Sequence, residues 1–459
     1  MKTNISLIII LLIFQLNVLS AQNVKPNFVI LFADDMGYAD LSCYGSQENN
    51  TPVLDKLAME GMRFTDFYAG SAVCSPSRAS LLTGRFALRA GLYSWVSERA
   101  PHKMHLHSDE VTIAELLQKQ GYSTAHIGKW HLGFDLTEDS GPRPTPGDQG
   151  FDYWMATINN AGPSHHNPDN FVRNGKEVGE IKGYSSHIVV NEAGKWLDEH
   201  RDPGKPFFLN LWFHEPHQPV AAPEVLKQYH EDTNLPAYYG CIENMDLAIG
   251  HLLKKLEQTG LAENTFIIFM SDNGSYRWKS NGPLKAGKTK IWDGGIRVPG
   301  IIKWPGHIKA GTEEETPAAV FDVLPTIAEI TGAQLPDRTI DGVSLVPLFK
   351  DKKLKREKPM YWFYSPSRPA VAIRDGEWNM VADPEMDIPT DNMFREEWIG
   401  MVKETELTNF RLYNLQEDPG QQNDFSEEKP KVFQNMKEKL VNLHNKVVEE
   451  AIDWRDFEF

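Results

Sequence analysis

Two adjacent pairs of polar residues stand where chemistry is possible. Asp34-Asp35 ends the apolar run "FVILFADD", and Asp272-Asn273 ends "FIIFMSDN". Neighbouring carboxylates at a buried strand end repel each other unless positive charge lies between them, and an all-oxygen donor set favours a hard cation such as calcium or magnesium. Either pair alone reads as turn or cap residues. Together, each after an equally long apolar run, they point to a metal. Cationic and imidazole groups follow other apolar runs: Lys129 and His131 in "GKWHLG", His214 and His217 in "HEPHQP", and Lys285, Lys288 and Lys290 in "LKAGKTKIWDGG". Singly, each is commonly a solvated lysine or a hydrogen-bonded histidine. A metal with several cations at one sheet edge suits a doubly negative tetrahedral anion, placing positive charge where charge develops on a transferred group.

Cys74, in "SAVCSPSRASLLTGR", is the unusual cysteine of three. Ser75 as cap and Pro76 as first helical residue place Cys74 at a helix N-terminus, where an anion is favoured. A cysteine-phosphatase loop of the C-x5-R type does not fit, because Arg78 follows Cys74 by only four residues and position 80 is Ser. A plain thiolate is also a poor match for a hard, oxygen-ligated metal. The bare thiol is therefore an unsatisfactory nucleophile. Cys241 sits in a helical pattern with Ile242, Met245, Ile249, Leu252 and Leu256 and reads as core, while Cys43 in "LSCYG" has no chemical partner. Three cysteines do not make a disulfide framework.

The elements that must position these groups are legible in the apolar runs at 28–35, 123–131, 206–217 and 266–273. Runs of this length suit strands buried on both faces, as in a parallel sheet covered by helices. Helical patterns lie between them, one with Thr51 as N-cap, Pro52 as first residue and Gly61 as stop, another from Thr112 to Gly121. The expectation is α/β: a large mixed, mostly parallel sheet sandwiched by helices, occupying residues 22–354. Ligands bind beyond the carboxyl ends of such strands, so the polar ends should converge. Residues 355–459 read as a smaller antiparallel sheet ("PMYWFYS", "AVAIRDGEWNMVA", "FRLYNL") with a helix presenting Val432, Phe433, Met436, Leu440, Leu443 and Val447 on one face.

The 459-residue chain carries 47 basic and 63 acidic side chains, a net charge of −16. That balance argues against nucleic acid or an anionic membrane as partner, while a local basic pocket can still take a small anion. Residues 1–21 read as a cleaved signal peptide, with Lys2 before "ISLIIILLIFQL" and the small residues Ser20 and Ala21 at its end. No cysteine marks a lipid-anchored mature end and no later segment is apolar enough for a membrane span, so a secreted or periplasmic protein is expected. No sequence signal fixes an oligomeric state.

These residues resemble the sulfatase family of the alkaline phosphatase superfamily, over nearly the whole mature chain. "CSPSRASLLTGR" is similar to the family pattern C-x-P-S-R-x-x-L-x-T-G, with Leu81 at its leucine position; "GKWHLG", "PNFVILFADDMGYADLSCYG", "SDNG", "WDGGIRVP" and "LYNLQEDP" resemble further family segments in order. The resemblance implies an alkaline phosphatase-like fold. It also implies that Cys74 is oxidised to Cα-formylglycine by a maturation enzyme that recognises Pro76 and Arg78 in the unfolded chain, the aldehyde then hydrating to a geminal diol. Asp34, Asp35, Asp272 and Asn273 would hold calcium, with modified residue 74 completing the shell. One diol hydroxyl, made acidic by calcium and Arg78, would attack sulfur. His217, assisted by Lys288, would protonate the leaving oxygen, His131 would take the proton that collapses the hemiacetal, and Lys129 and Lys288 would bind sulfate oxygens.

His214 stays outside that set as a positioned loop residue. His165, His166 and 167–175 are expected to line the substrate pocket, and the Asn273-Gly274-Ser275 acceptor pattern is not expected to carry a glycan. The function implied is hydrolysis of a sulfate ester of a carbohydrate. The alternatives are a phosphodiesterase or phosphonate hydrolase of the same superfamily, and an unconverted, inactive carbohydrate-binding member.

Overall fold

A computed structural model describes residues 25–97, 103–137, 144–230, 235–364, 370–386 and 394–457. The signal-peptide reading of residues 1–21 lies outside them. In chain order the main elements are β1 (Asn27–Asp34), α1 (Pro52–Met59), β2 (Met62–Tyr68), α2 (Cys74–Thr83), α3 (Ile113–Lys119), β3 (Ser123–Lys129), β4 (Tyr153–Thr157), α4 (Ser185–Lys195), β5 (Phe207–Pro216), α5 (Pro236–Gln258), β6 (Thr265–Ser271) and β7 (Arg297–Lys303).

These strands form a sheet in the order β2-β7-β6-β1-β5-β3-β4, extended at its margins by short strands at 312–314 and 318–319 beside β2 and at 172–173 and 176–177 beyond β4. β6, β1, β5, β3 and β4 run parallel. β7 runs antiparallel to both β6 and β2, which makes the sheet mixed. The 274–296 connection returns the chain to the sheet at the end where β6 stopped, and a strand that re-enters from the same end is antiparallel.

Alternation along β1 assigns the two cores. Phe28, Ile30 and Phe32 join one apolar cluster, and Val29, Leu31 and Ala33 join the other. The second cluster takes α5 through Cys241, Ile242, Met245, Ile249 and Leu252, so Cys241 is a core residue as its spacing predicts. The first cluster takes Ala79, Leu81 and Leu82 of α2. It also takes Trp362, Val371, Met380 and Leu412 from a second, antiparallel sheet of β8 (Met360–Tyr364), β9 (Ala370–Asp375), β10 (Trp378–Pro384) and β11 (Leu407–Asn414). Helix α6 (Pro430–Glu450) adds Met436, Leu440, Leu443 and Val447. The small sheet and the large one therefore share a continuous core on the α2 side.

Local start and stop signals act with small offsets. Thr51 does precede α1, but its side chain makes no capping bond, and the helix ends at Met59 before Gly61. At α3, Thr112 and Glu115 form a reciprocal capping box. Helix α2 begins at Cys74 itself, with Val73 as cap. Ser75 is thus inside the helix, and its hydroxyl accepts from Val96 N (2.9 Å). Gly84 ends α2 in the left-handed region (φ 69°). Among the described residues no helix is long and apolar enough to cross a membrane, and all three cysteines are free thiols.

Candidate active site

The carboxyl ends of β1, β3, β5 and β6 meet the N-terminus of α2 and the 274–296 connection at one point. Asp34 is the last residue of β1, and Asp35 turns the chain in the left-handed region (φ 65°). That turn lets both aspartates face the cluster: Asp35 N donates to Asp272 Oδ1 (3.1 Å), and Asn273 Nδ2 donates to Asp35 Oδ1 (2.8 Å). Lys129 ends β3, beside Gly128, whose φ is +116° and where a Cβ would lie 1.8 Å from Trp212 O. Only glycine lets β3 run that close to β5 while delivering Lys129 inward.

Three cations answer three carboxylates. Lys129 Nζ lies 2.7 Å from Asp34, and Lys288 Nζ lies 2.6 Å from Asp35. Arg78 Nη2 lies 2.6 Å from Asp272 and 3.4 Å from Asp34. Arg78 is fully buried, with its guanidinium over the rings of Trp212 (4.9 Å) and Phe32 (5.5 Å). Cys74 sits among them: its Sγ lies 3.6 Å from Asp34 Oδ1, 4.0 Å from Asp35 Oδ1 and 3.7 Å from Lys288 Nζ. His217 Nε2 approaches Asp35 at 3.5 Å while its Nδ1 bonds Gln218 O (2.6 Å). Ligand atoms of Asp34, Asp35, Cys74 and His217 all lie within 4.8 Å of one another.

Electrostatics follow from this packing. Burial pushes the Cys74 thiol up to about 12, against the pull of Lys129 and Lys288. For Asp34, burial opposes ionisation, yet Lys129, His217, Arg78 and Lys288 outweigh it and hold the carboxyl well below the usual carboxylate range. Burial and the Asp34 charge push Asp272 up to about 7, with Arg78 opposing. Burial disfavours charged Lys288, but Asp35, Cys74 and Asp34 more than compensate, so it stays an ammonium. Burial lowers His217 against the attraction of Asp35 and Asp34.

The oxygen donors fit a hard cation. Asp34, Asp35 and Asp272 supply carboxylates, and Asn273 Oδ1 is buried with no hydrogen-bond partner, an acceptor left for something other than the protein. Asn273 is 0% exposed, so it carries no glycan.

His131 follows Lys129 at the same sheet end, in the left-handed region (φ 56°). Its Nε2 bonds Val96 O (2.9 Å), which makes Nε2 the protonated nitrogen and leaves Nδ1, buried and unpartnered, as the acceptor. His214 is fully buried and bonds Thr157 Oγ1 (2.8 Å), clear of the carboxylates. His165 is also fully buried beside the His214 ring (5.8 Å), whereas His166 is exposed against Tyr184. Of the 167–175 segment, Asn170 lines a cavity next to His131. Lys285 and Lys290, close to Lys288 in sequence, point elsewhere: Lys285 lies over Trp292 (3.9 Å) and bonds Gln421 O, and Lys290 lines a separate cleft with Arg411. Ser75, expected as a helix cap, instead holds Val96, and Gln218, which the sequence did not single out, holds His217 in place. Adjacency to His217 was the only signal available for Gln218.

The sulfatase family model matches residues 26–333. The chain belongs to the sulfatase family. A second family model, described as the C-terminal part of N-sulphoglucosamine sulphohydrolase, matches residues 287–383. This sulfatase is 33% identical to arylsulfatase A of Homo sapiens over 431 residues, covering 86% of the chain and 82% of the relative. It is 33% identical to N-acetylgalactosamine-6-sulfatase of Rattus norvegicus over 381 residues, covering 76% of the chain and 70% of the relative. The solved structure of Ps i-CgsB in complex with k-i-k-neocarrahexaose matches with a TM-score of 0.80 at 27% identity, covering 95% of each chain. The expected alkaline phosphatase-like sulfatase architecture is the one observed, and the protein is a sulfuric ester hydrolase.

Proposed function

We propose that this sulfatase cleaves a sulfate ester of a carbohydrate, using residue 74 as formylglycine and a calcium ion held by Asp34, Asp35, Asp272 and Asn273. The observation that carries the reading is Cys74 itself. Its side chain points among two aspartates and Lys288, at the centre of the cluster, yet as a thiol it stays protonated because burial pushes it to about 12. A protonated thiol is no nucleophile. An aldehyde hydrate at the same position presents oxygen, matched to the oxygen donors around it.

Calcium bound there supplies Lewis acidity toward a sulfate oxygen and toward the hydroxyl of residue 74. The protein groups do the rest. Arg78, Lys129 and Lys288 neutralise Asp272, Asp34 and Asp35 one for one, so a bound divalent cation leaves the cluster positive and receptive to an anionic ester. Lys129 and Lys288 stand where sulfate oxygens would bind. His217 is oriented by its Nδ1 bond to Gln218, leaving Nε2 toward the site to protonate the leaving oxygen, and the negative ester favours the imidazolium that does so. His131 offers Nδ1 as base, its tautomer fixed by Val96 O.

The carbohydrate assignment rests on one relative named N-acetylgalactosamine-6-sulfatase and on the separate solved structure of Ps i-CgsB, which holds k-i-k-neocarrahexaose. Export rests on residues 1–21, and residues 355–459 would form the subdomain that completes the core after a catalytic domain at 22–354. Maturation would require a formylglycine-generating enzyme. Intact mass tests the conversion: a protein lighter by about 18 mass units supports it, and an unchanged thiol at Cys74 sinks it. Turnover of an aryl sulfate against an aryl phosphodiester, with and without chelator, tests the reaction; preference for the diester or indifference to chelation counts against the reading.

A further inference from the structure

Arg78 is a fully buried cation, and the sheet gives it aromatic faces where a buried charge normally has hydrogen-bond acceptors. Only its Nη2 reaches carboxylates, Asp272 at 2.6 Å and Asp34 at 3.4 Å. Its Nε and Nη1 are buried with no hydrogen-bond partner among the described residues. Strand register decides what lies against the guanidinium instead. Trp212 of β5 is the cross-strand neighbour of Phe32 of β1, and both rings belong to the core cluster on the α2 side. The guanidinium carbon lies 4.9 Å from the centroid of the Trp212 ring and 5.5 Å from that of Phe32. Both distances fall inside the range of about 6 Å over which a ring face attracts a cation.

Packing alone does not explain an indole here. Trp212 Nε1 is buried with no acceptor among the described residues, a penalty that a phenyl or aliphatic side chain would not carry. What the indole offers beyond them is the strongest cation-binding face of the aromatic side chains. Its neighbours hold that face in place without adding charge. Trp130 stacks on Trp212 (5.9 Å, 17°), and His126 meets it edge to face (4.9 Å, 87°). His126 is fixed in turn through Nδ1 by Asn210 of β5 (3.0 Å), and burial together with the Arg78 charge lowers it to about 3, so it is neutral. Arg78 follows Cys74 by one turn of α2, which puts the two on one helix face and within each other's field. The place of the guanidinium therefore sets the charge felt at residue 74.

Resting on the proposed function, we infer that Trp212 is a positioning residue of the sulfatase reaction: its indole face holds the Arg78 guanidinium against Asp272 and residue 74, and turnover follows the strength of that face. The effect falls on kcat, because Arg78 acts on the attacking group while Lys129 and Lys288 bind the ester. The test measures 4-nitrophenyl sulfate turnover by the full chain, with kcat expressed per converted protein from intact mass. Trp212→Phe keeps a weaker face, and Trp212→Leu and Trp212→Met keep apolar bulk with none. Phe266→Leu, a buried ring of the same core at the far end of β6, is the control for lost stability. Trp212→Phe should lower kcat by about threefold and either aliphatic variant by about tenfold or more, with KM within about threefold of the parent. Phe266→Leu should melt lower and keep kcat within about twofold. Equal kcat in the Phe and aliphatic variants, a loss confined to KM, or a loss in Phe266→Leu matching that of the aliphatic variants overturns the inference. A converted, active parent whose Trp212 variants all match it overturns the inference alone. A parent with an unchanged thiol at residue 74 and no aryl sulfate turnover overturns the proposed function, and the inference with it.

Discussion

Replacing Asp34 by Asn removes one charge and almost no volume, which isolates the electrostatic role of the cluster. Among the described residues Lys129 pairs with Asp34 alone, at 2.7 Å, and both side chains are 0% exposed. Arg78 loses its 3.4 Å partner and keeps Asp272. Breaking a buried pair by deleting one member costs about 3–5 kcal/mol, because the survivor is left charged and dry. With an unfolding entropy of about 2 cal/mol/K per residue, a chain of 459 residues loses about 1 °C per kcal/mol, so Asp34→Asn should melt about 3–5 °C below the parent in chelator. Calcium adds a second reading. At a hundredfold excess over its Kd, a specific ligand stabilises by about 2.7 kcal/mol, here about 3 °C, and the variant should lose most of that increment. Calorimetric melts of both proteins, in chelator and in calcium, measure both quantities. A variant that melts within 1 °C of the parent in chelator refutes the ion-pair reasoning. One that keeps the full calcium increment shows that Asp34 is not a ligand.

Other outcomes follow from single contacts. Gly128→Ala drives a methyl into Trp212 O and should displace Lys129, giving loss of aryl sulfate turnover and a lower melting temperature together; a variant with parental turnover contradicts the assigned close approach. His217→Ala should cost about 10²–10⁴ in kcat on a sugar sulfate but less on 4-nitrophenyl sulfate, whose leaving group needs no proton, and equal losses argue against a general acid. Cys74→Ser should fold, bind calcium and show no turnover. His444, buried beneath the small sheet with Nδ1 bonded to Tyr361 OH (2.9 Å), is lowered by burial to about 4. The unfolded chain therefore binds the extra proton, and this contribution is complete above about 6.5 and lost as the pH falls from there to about 4. His444→Gln should flatten the stability profile in that window by about 3 kcal/mol in total, measured by denaturant unfolding against pH.

The strand ends were legible because parallel strands buried on both faces leave unbroken apolar runs, and the residue after each run faces the ligand side. Asp34, Lys129, His217 and Asp272 all follow that rule. What escaped has backbone or tertiary causes. Asp35 and His131 adopt left-handed conformations that residue type alone does not announce. Helix α2 starts at Cys74 instead of Pro76, and the hydroxyl of Ser75, expected as the cap, is taken by Val96, twenty-one residues away in sequence. The antiparallel sense of β7 is set by where its long connection re-enters the sheet, and the cavity beside His131 is assembled from four separate segments.

All ten residues of α2 are buried, Cys74 among them at 3% exposure. A helix enclosed in that way cannot be lifted out to meet another macromolecule without opening the core shared by both sheets. Folding thus works as a one-way door: whatever side chain stands at position 74 when the core closes is sealed there. Under the proposed conversion of Cys74, preparations should contain two populations that do not interconvert while native, in a ratio fixed by the race between chain collapse and enzymatic access during synthesis. Slowing synthesis or holding the chain extended should change specific activity without changing the stability of either population.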